Sequence, residues 1–207
     1  MKLASDLVLP DRARKFLDEL SNALENYEDK IVSIILFGSL VKGGHSALSD
    51  VDMIIVVKDE ISDSQISEIE EKVRVIEEKN EYRTKPIEKR SISERFVSRL
   101  GSFVELRTGM FVSHFICRRK DFLDANFAKI FNTTPVVTEL LAPSSLVLSG
   151  VLSHAKTIYG EELLNKVKRP EFGLVDILKS LIMNFLLSLG SLFLYIFHSS
   201  AGKFAFE

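Results

Sequence analysis

Cysteine occurs once in 207 residues, at Cys117. A lone thiol excludes an internal disulfide and fits a reducing, cytoplasmic compartment. Neither sign of charge dominates: 27 Lys and Arg stand against 29 Asp and Glu, a net charge of −2. With a pI near 6.1, no overall basic field recruits nucleic acid, which counts against a polymerase gripping a long template. Met1 to Arg14 is too charged for a secretory signal. Glutamine appears only at Gln65, beside abundant Lys and Glu, a composition that leans faintly toward a thermophile. Repeats and low-complexity linkers are missing. Only one uncharged stretch, the 17 residues Leu181 to Phe197, approaches the length needed to span a bilayer.

Apolar residues make up 46% of the chain, ample for a buried core, and 207 residues can hold one large domain or a core with an appendage. The most informative stretch runs from Phe37 to Val56. Gly38-Ser39 is followed by ten residues and then by Asp50-Val51-Asp52. The apolar run Ile31–Phe37 leads in, and a second, Met53–Val57, leads out. On a strand, Asp50 and Asp52 point to one face, about 7 Å apart. Two carboxylates so placed repel unless a cation lies between them. A hard divalent ion removes that cost, and Mg²⁺ typically takes one or two carboxylates together with substrate phosphates. A glycine where a strand breaks into a turn lets backbone N–H groups approach a phosphate, and the Ser39 hydroxyl adds a donor. The pattern implies a phosphate cradle beside a metal-binding carboxylate pair.

At these residues the chain resembles the DNA polymerase β-like nucleotidyltransferase superfamily, especially its minimal members, whose signature is Gly-Ser, about ten residues, and Asp-x-Asp. Ser49-Asp50-Val51-Asp52 matches the common Ser-Asp-Ile/Val-Asp form. Thr157 to Leu163 is a weaker echo of a late strand and turn of such domains. The resemblance implies an Mg²⁺- or Mn²⁺-dependent enzyme that moves a nucleoside monophosphate from a triphosphate such as ATP to a hydroxyl acceptor, releasing pyrophosphate. It implies that Asp50 and Asp52 hold metal, and that Gly38, Ser39, Lys42, Gly43 and Ser49 line the nucleotide. Relatives use proteins, small molecules or RNA ends as acceptors, and the motif does not choose among them. The family normally carries a third carboxylate on a neighbouring strand. If Met110–Cys117 is that strand, the position falls at Ser113 or His114; Glu105 and Glu88 are the substitutes. The rival reading is a catalytically weak module of the same fold, acting by nucleotide or protein binding as an antitoxin-like or regulatory partner.

Apolar spacing predicts a helix from Asp11 through Leu24 packed under the strand Ile31–Phe37. A second helix, capped by Ser62 or Asp63, carries Ile66, Ile69, Val73 and Ile76, with Glu68, Glu71, Lys72, Glu77 and Glu78 on a solvated face. Phe103–Arg107 and Met110–Cys117 read as a hairpin. Arg118, Arg119 and Lys120 read as solvated. Ser91-x-x-Glu94 has the form of a capping box. A helix from Pro143-Ser144 to His154 precedes a short strand, Thr157–Tyr159. Strands alternating with helices imply an α/β fold with a mixed sheet: a nucleotidyltransferase-like core over residues 1–165 and a C-terminal helical segment over 166–207. In that segment Ser180, Asn184, Ser188, Ser191, Tyr195 and His198 form one narrow polar stripe, so nearly the whole circumference of the helix calls for cover. The expectation is burial by protein rather than lipid, within the chain or through a homodimer or partner protein seated on residues 174–198. The chain stops at Phe204–Glu207 without a stop signal, as a chain cut short would.

Overall fold

A computed structural model describes residues 9–42, 51–82, 113–133 and 143–197. Helix α1 (Asp11–Ala23) turns a stripe of Ala13, Phe16, Leu17 and Leu20 inward, and a 3₁₀ turn at Glu25–Tyr27 delivers the chain to strand β1 (Ile31–Leu36). A single helical turn, α2 (Ser39–Lys42), follows β1. Strand β2 (Met53–Val57) is buried along its full length. Helix α3 (Asp63–Lys79) starts at Ser62, whose hydroxyl accepts from the Gln65 N–H while the Gln65 side chain accepts from the Ser62 N–H. That reciprocal pair satisfies two of the backbone donors a helix start leaves unpaired.

Strand β3 (His114–Arg118) leads into two short helices, α4 (Arg119–Leu123) and α5 (Phe127–Ile130). Helix α6 (Ser144–His154), strand β4 (Lys156–Gly160) and helix α7 (Leu174–Phe197) complete the order.

The four strands form one mixed sheet in the order β3-β2-β1-β4. β1 runs antiparallel to both neighbours, with Leu36 opposite Met53 and Lys156, whereas β2 and β3 are parallel, with Met53 beside His114. The end of β1 and the starts of β2, β3 and β4 therefore meet at one edge of the sheet. Alternation along the strands divides the core. Ile34, Leu36, Met53, Ile55 and Val57 pack against α1 and α3; Ile35, Ile54, Val56 and Cys117 pack against Phe122, Ile130, Leu148 and Leu163. A central strand covered on both faces has no polar alternation to show, which is why Met53–Val57 is an uninterrupted apolar run.

The fold is the mixed α/β arrangement expected, with α1 under β1 as its spacing implied. Two expectations need correction. Glu77 is not on a solvated face: it is 2% exposed. Arg118 and Arg119 are not merely solvated, because Arg118 pairs with Asp63 at 2.8 Å and Arg119 with Glu161 at 2.9 Å. For α7, cover from within the chain is not seen over the described side chains, which leaves the homodimer or partner protein of the same expectation. Leu174, Leu178, Leu181 and Phe185 are 84%, 57%, 62% and 66% exposed. No described helix is long and apolar enough to cross a membrane. The hairpin partner Phe103–Arg107, the Ser91–Glu94 box and the polar stripe beyond residue 197 lie outside the described residues.

Candidate active site at the sheet edge

The site is built where β1 gives way to a turn. Phe37 donates its N–H to the Asp52 carbonyl at 3.0 Å, so the residue before Gly38 and the residue before β2 are tied together. Gly38 has φ of +78°, a conformation that non-glycine residues adopt only under strain. A Cβ at Gly38 would lie 2.2 Å from Asp52 Oδ2. The space a side chain would take is thus filled by the Asp52 carboxylate, which stands directly on the turn. Ser39, half-buried, opens α2, and Lys42 closes that helical turn at the surface. Gly43, Ser49 and Asp50 lie outside the described residues, as do Glu88 and Glu105.

The sheet carries Asp52 on the face of Ile54 and Val56, the alternation placing Met53 on the other. β3 is the neighbour of β2, as the motif analysis supposed for this segment. Met53 donates its N–H to the Ser113 carbonyl at 2.8 Å, so Ser113 and His114 stand beside the aspartate where a third acid was sought. His114 faces α3 and is 4% exposed, a hydrogen-bonded packing residue as expected: its Nδ1 lies 2.6 Å from Glu77 Oε1. Ser113 Oγ donates to the same oxygen at 3.0 Å. Phe115, the next residue on the Asp52 face of β3, packs on Phe37 and Phe131. Among the described residues no group of three acid, histidine or cysteine side chains could hold a metal.

Glu77 is the residue the motif analysis missed. The signal was present: Glu77 follows Val73 by four positions and Ile69 by eight, so it lies in the helix's own apolar stripe. A buried carboxylate is costly unless hydrogen-bonded, and Ser113 and His114 meet that need. Cys117, further along β3, is equally enclosed. Burial, with a smaller contribution from Asp121, pushes its thiol far above the usual range, so it is no nucleophile.

Residues 18–96 match the family model described as polymerase beta, nucleotidyltransferase. The nucleotidyltransferase resemblance holds. The matched segment takes in the second half of α1, then β1, the Gly38-Ser39 turn, Asp52, β2 and α3, and it ends before β3. No curated protein matches the chain. Among solved structures, the chain is similar to spectinomycin adenyltransferase AAD(9) from Enterococcus faecialis, solved with ATP and spectinomycin. That match has 16% identity, covers 89% of this chain and 68% of that one, and has a TM-score of 0.44.

Proposed function

We propose that this protein is a nucleotidyltransferase that moves a nucleoside monophosphate from a nucleoside triphosphate to a hydroxyl acceptor, with release of pyrophosphate. The observation that carries this reading is the Asp52 carboxylate seated on the positive-φ turn at Gly38, inside the matched segment. A divalent cation fits this donor set: carboxylate oxygen is a hard ligand, and the glycine leaves room for a phosphate to come against the backbone. Asp50 and Asp52 would hold Mg²⁺ or Mn²⁺. Bound there, the ion would supply charge neutralisation for the triphosphate and the departing pyrophosphate. Gly38 and Ser39 bind phosphate oxygens through backbone N–H and hydroxyl donors, and Lys42, Gly43 and Ser49 are the further residues the motif assigns to the nucleotide. The clamp between Phe37 and Asp52 keeps the turn and the carboxylate in fixed relation, so little ordering remains to be done when substrate arrives.

A second reading has its own observation. Beside Asp52, β3 offers Phe115 rather than an acid, and the Ser113 hydroxyl is taken up by Glu77 at 3.0 Å, so nucleotide binding could persist where transfer is slow. The module would then work as a nucleotide-binding regulator. One experiment separates the two. Each labelled nucleoside triphosphate is incubated with the protein, Mg²⁺ and cell extract, beside an Asp52→Asn variant. Label passed to protein, RNA or a small molecule, and lost in Asp52→Asn with little change in melting temperature, establishes transfer and names the acceptor class. Asp52-dependent binding of nucleotide with no transfer of label establishes the regulator. Binding and transfer both indifferent to Asp52→Asn would refute the site.

A further inference from the structure

We propose that Glu77 is a positioning residue for Asp52, acting through the backbone from the opposite face of the sheet. The inference rests on the nucleotidyltransferase reading of Asp52. The peptide unit joining Asp52 to Met53 is held on both sides: its carbonyl accepts from the Phe37 N–H at 3.0 Å, and its N–H donates to the Ser113 carbonyl at 2.8 Å. Those two bonds fix the direction in which the Asp52 side chain leaves the chain. One of them is only as firm as Ser113, which stands before the first residue of β3. Ser113 is anchored by its own hydroxyl to Glu77 Oε1 at 3.0 Å, and the next residue, His114, grips the same oxygen at 2.6 Å.

A single buried carboxylate oxygen thus pins the entrance of β3 in register against Asp52. Glu77 cannot take the place of a third metal ligand, because His114 pairs with Met53 and faces α3, whereas Asp52 faces the other side. Its influence passes through the peptide clamp. Groups that orient metal-binding carboxylates in this indirect way typically change metal affinity or activity by about 10–100-fold when removed.

The test compares Glu77→Leu, Glu77→Gln and Asp52→Asn for the Mg²⁺ concentration that supports half-maximal nucleotide binding, with amide exchange of Met53 followed by NMR. Glu77→Leu is expected to raise the Mg²⁺ requirement about 10–100-fold and to speed exchange at Met53. Glu77→Gln keeps an acceptor oxygen for both donors and should rescue most of the loss. A folded Glu77→Leu protein with a lower melting temperature but an unchanged Mg²⁺ requirement overturns the proposal, since a residue that only stabilises the fold would behave so. If Glu77→Leu does not fold, Ser113→Ala removes one of the two bonds without touching the carboxylate. An intermediate rise in the Mg²⁺ requirement then supports the proposal, and no rise overturns it. Nucleotide binding unaffected by Asp52→Asn would instead bring down the underlying site assignment, a different pattern from either result at Glu77.

Discussion

At the scale of single residues, the site depends on a side chain that is missing. Gly38 provides both a left-handed backbone and the volume that Asp52 occupies. Gly38→Ala should destabilise the fold by about 1–3 kcal/mol for the backbone conformation alone. It should also displace the Asp52 carboxylate and abolish Mg²⁺-dependent nucleotide binding, measured by calorimetry beside a thermal melt. Binding retained at wild-type strength would show that the turn does not need the contact. That Asp52 comes against the Gly38 turn was legible because the arrangement is local: fifteen residues and two strands define it. Glu77 was not legible. Its charge argued for solvent and its spacing for the core, and the partners that settle the matter, Ser113 and His114, lie 36 and 37 positions away.

At the scale of elements, the strands and helices with a clear period came out as read. Ile31–Leu36, Met53–Val57 and Ser144–His154 are elements whose apolar pattern or flanking residues mark them without tertiary help. Helix α7 shows the limit of that reasoning. An apolar circumference specifies that a helix wants cover, but not what covers it, because the covering surface is written elsewhere. Its exposed row of Leu178, Ile182 and Phe185 should bind a dye that fluoresces on apolar surface, since soluble chains seldom leave a contiguous patch of this kind bare. Replacing the three with serine should remove most of the signal from the native protein. Undiminished fluorescence would locate the apolar surface in another element.

At the scale of the whole molecule, ion pairs reinforce packing between pieces of chain distant in sequence. Glu161, just past β4, receives Lys166 at 2.6 Å and Arg119, at the start of α4, at 2.9 Å. Lys166 first, then Arg119, hold its carboxyl below the ordinary range. Asp63, Asp124, Glu71 and Glu19 are lowered in the same way, by Arg118, Lys168, Arg74 and, for Glu19, Asn80 with Lys79. A depressed folded-state value means the unfolded chain binds protons first. The stabilisation is therefore complete above the ordinary carboxyl value, 4.5 for Glu161, and is lost as pH falls through the depressed one. Melting temperature should hold from pH 7 to about 5 and then drop. Glu161→Gln should melt lower than wild type at pH 7, the gap closing as pH falls below the ordinary carboxyl value. A gap independent of pH would assign the effect to packing.

Glu77 also does something for the chain's contour. The Tyr82 N–H donates to the Glu77 carbonyl at 2.9 Å, while Tyr82 rests edge-on against Phe16 and beneath the Arg12 guanidinium. Ser113 returns to the side chain of that same glutamate. Tyr82 and Ser113, 31 positions apart, are therefore both held by one residue, Glu77. The entropy of closing a ring grows only with the logarithm of its circumference, about 0.6 kcal/mol for each doubling. With Tyr82 and Ser113 already held at Glu77, a longer connection between them adds little to the cost of closure. The contact between Gly38 and Asp52 is tighter, because a Cβ at Gly38 would lie 2.2 Å from Asp52 Oδ2. Residues inserted between Tyr82 and Ser113 should therefore lower the melting temperature less than the same number inserted between Gly38 and Asp52.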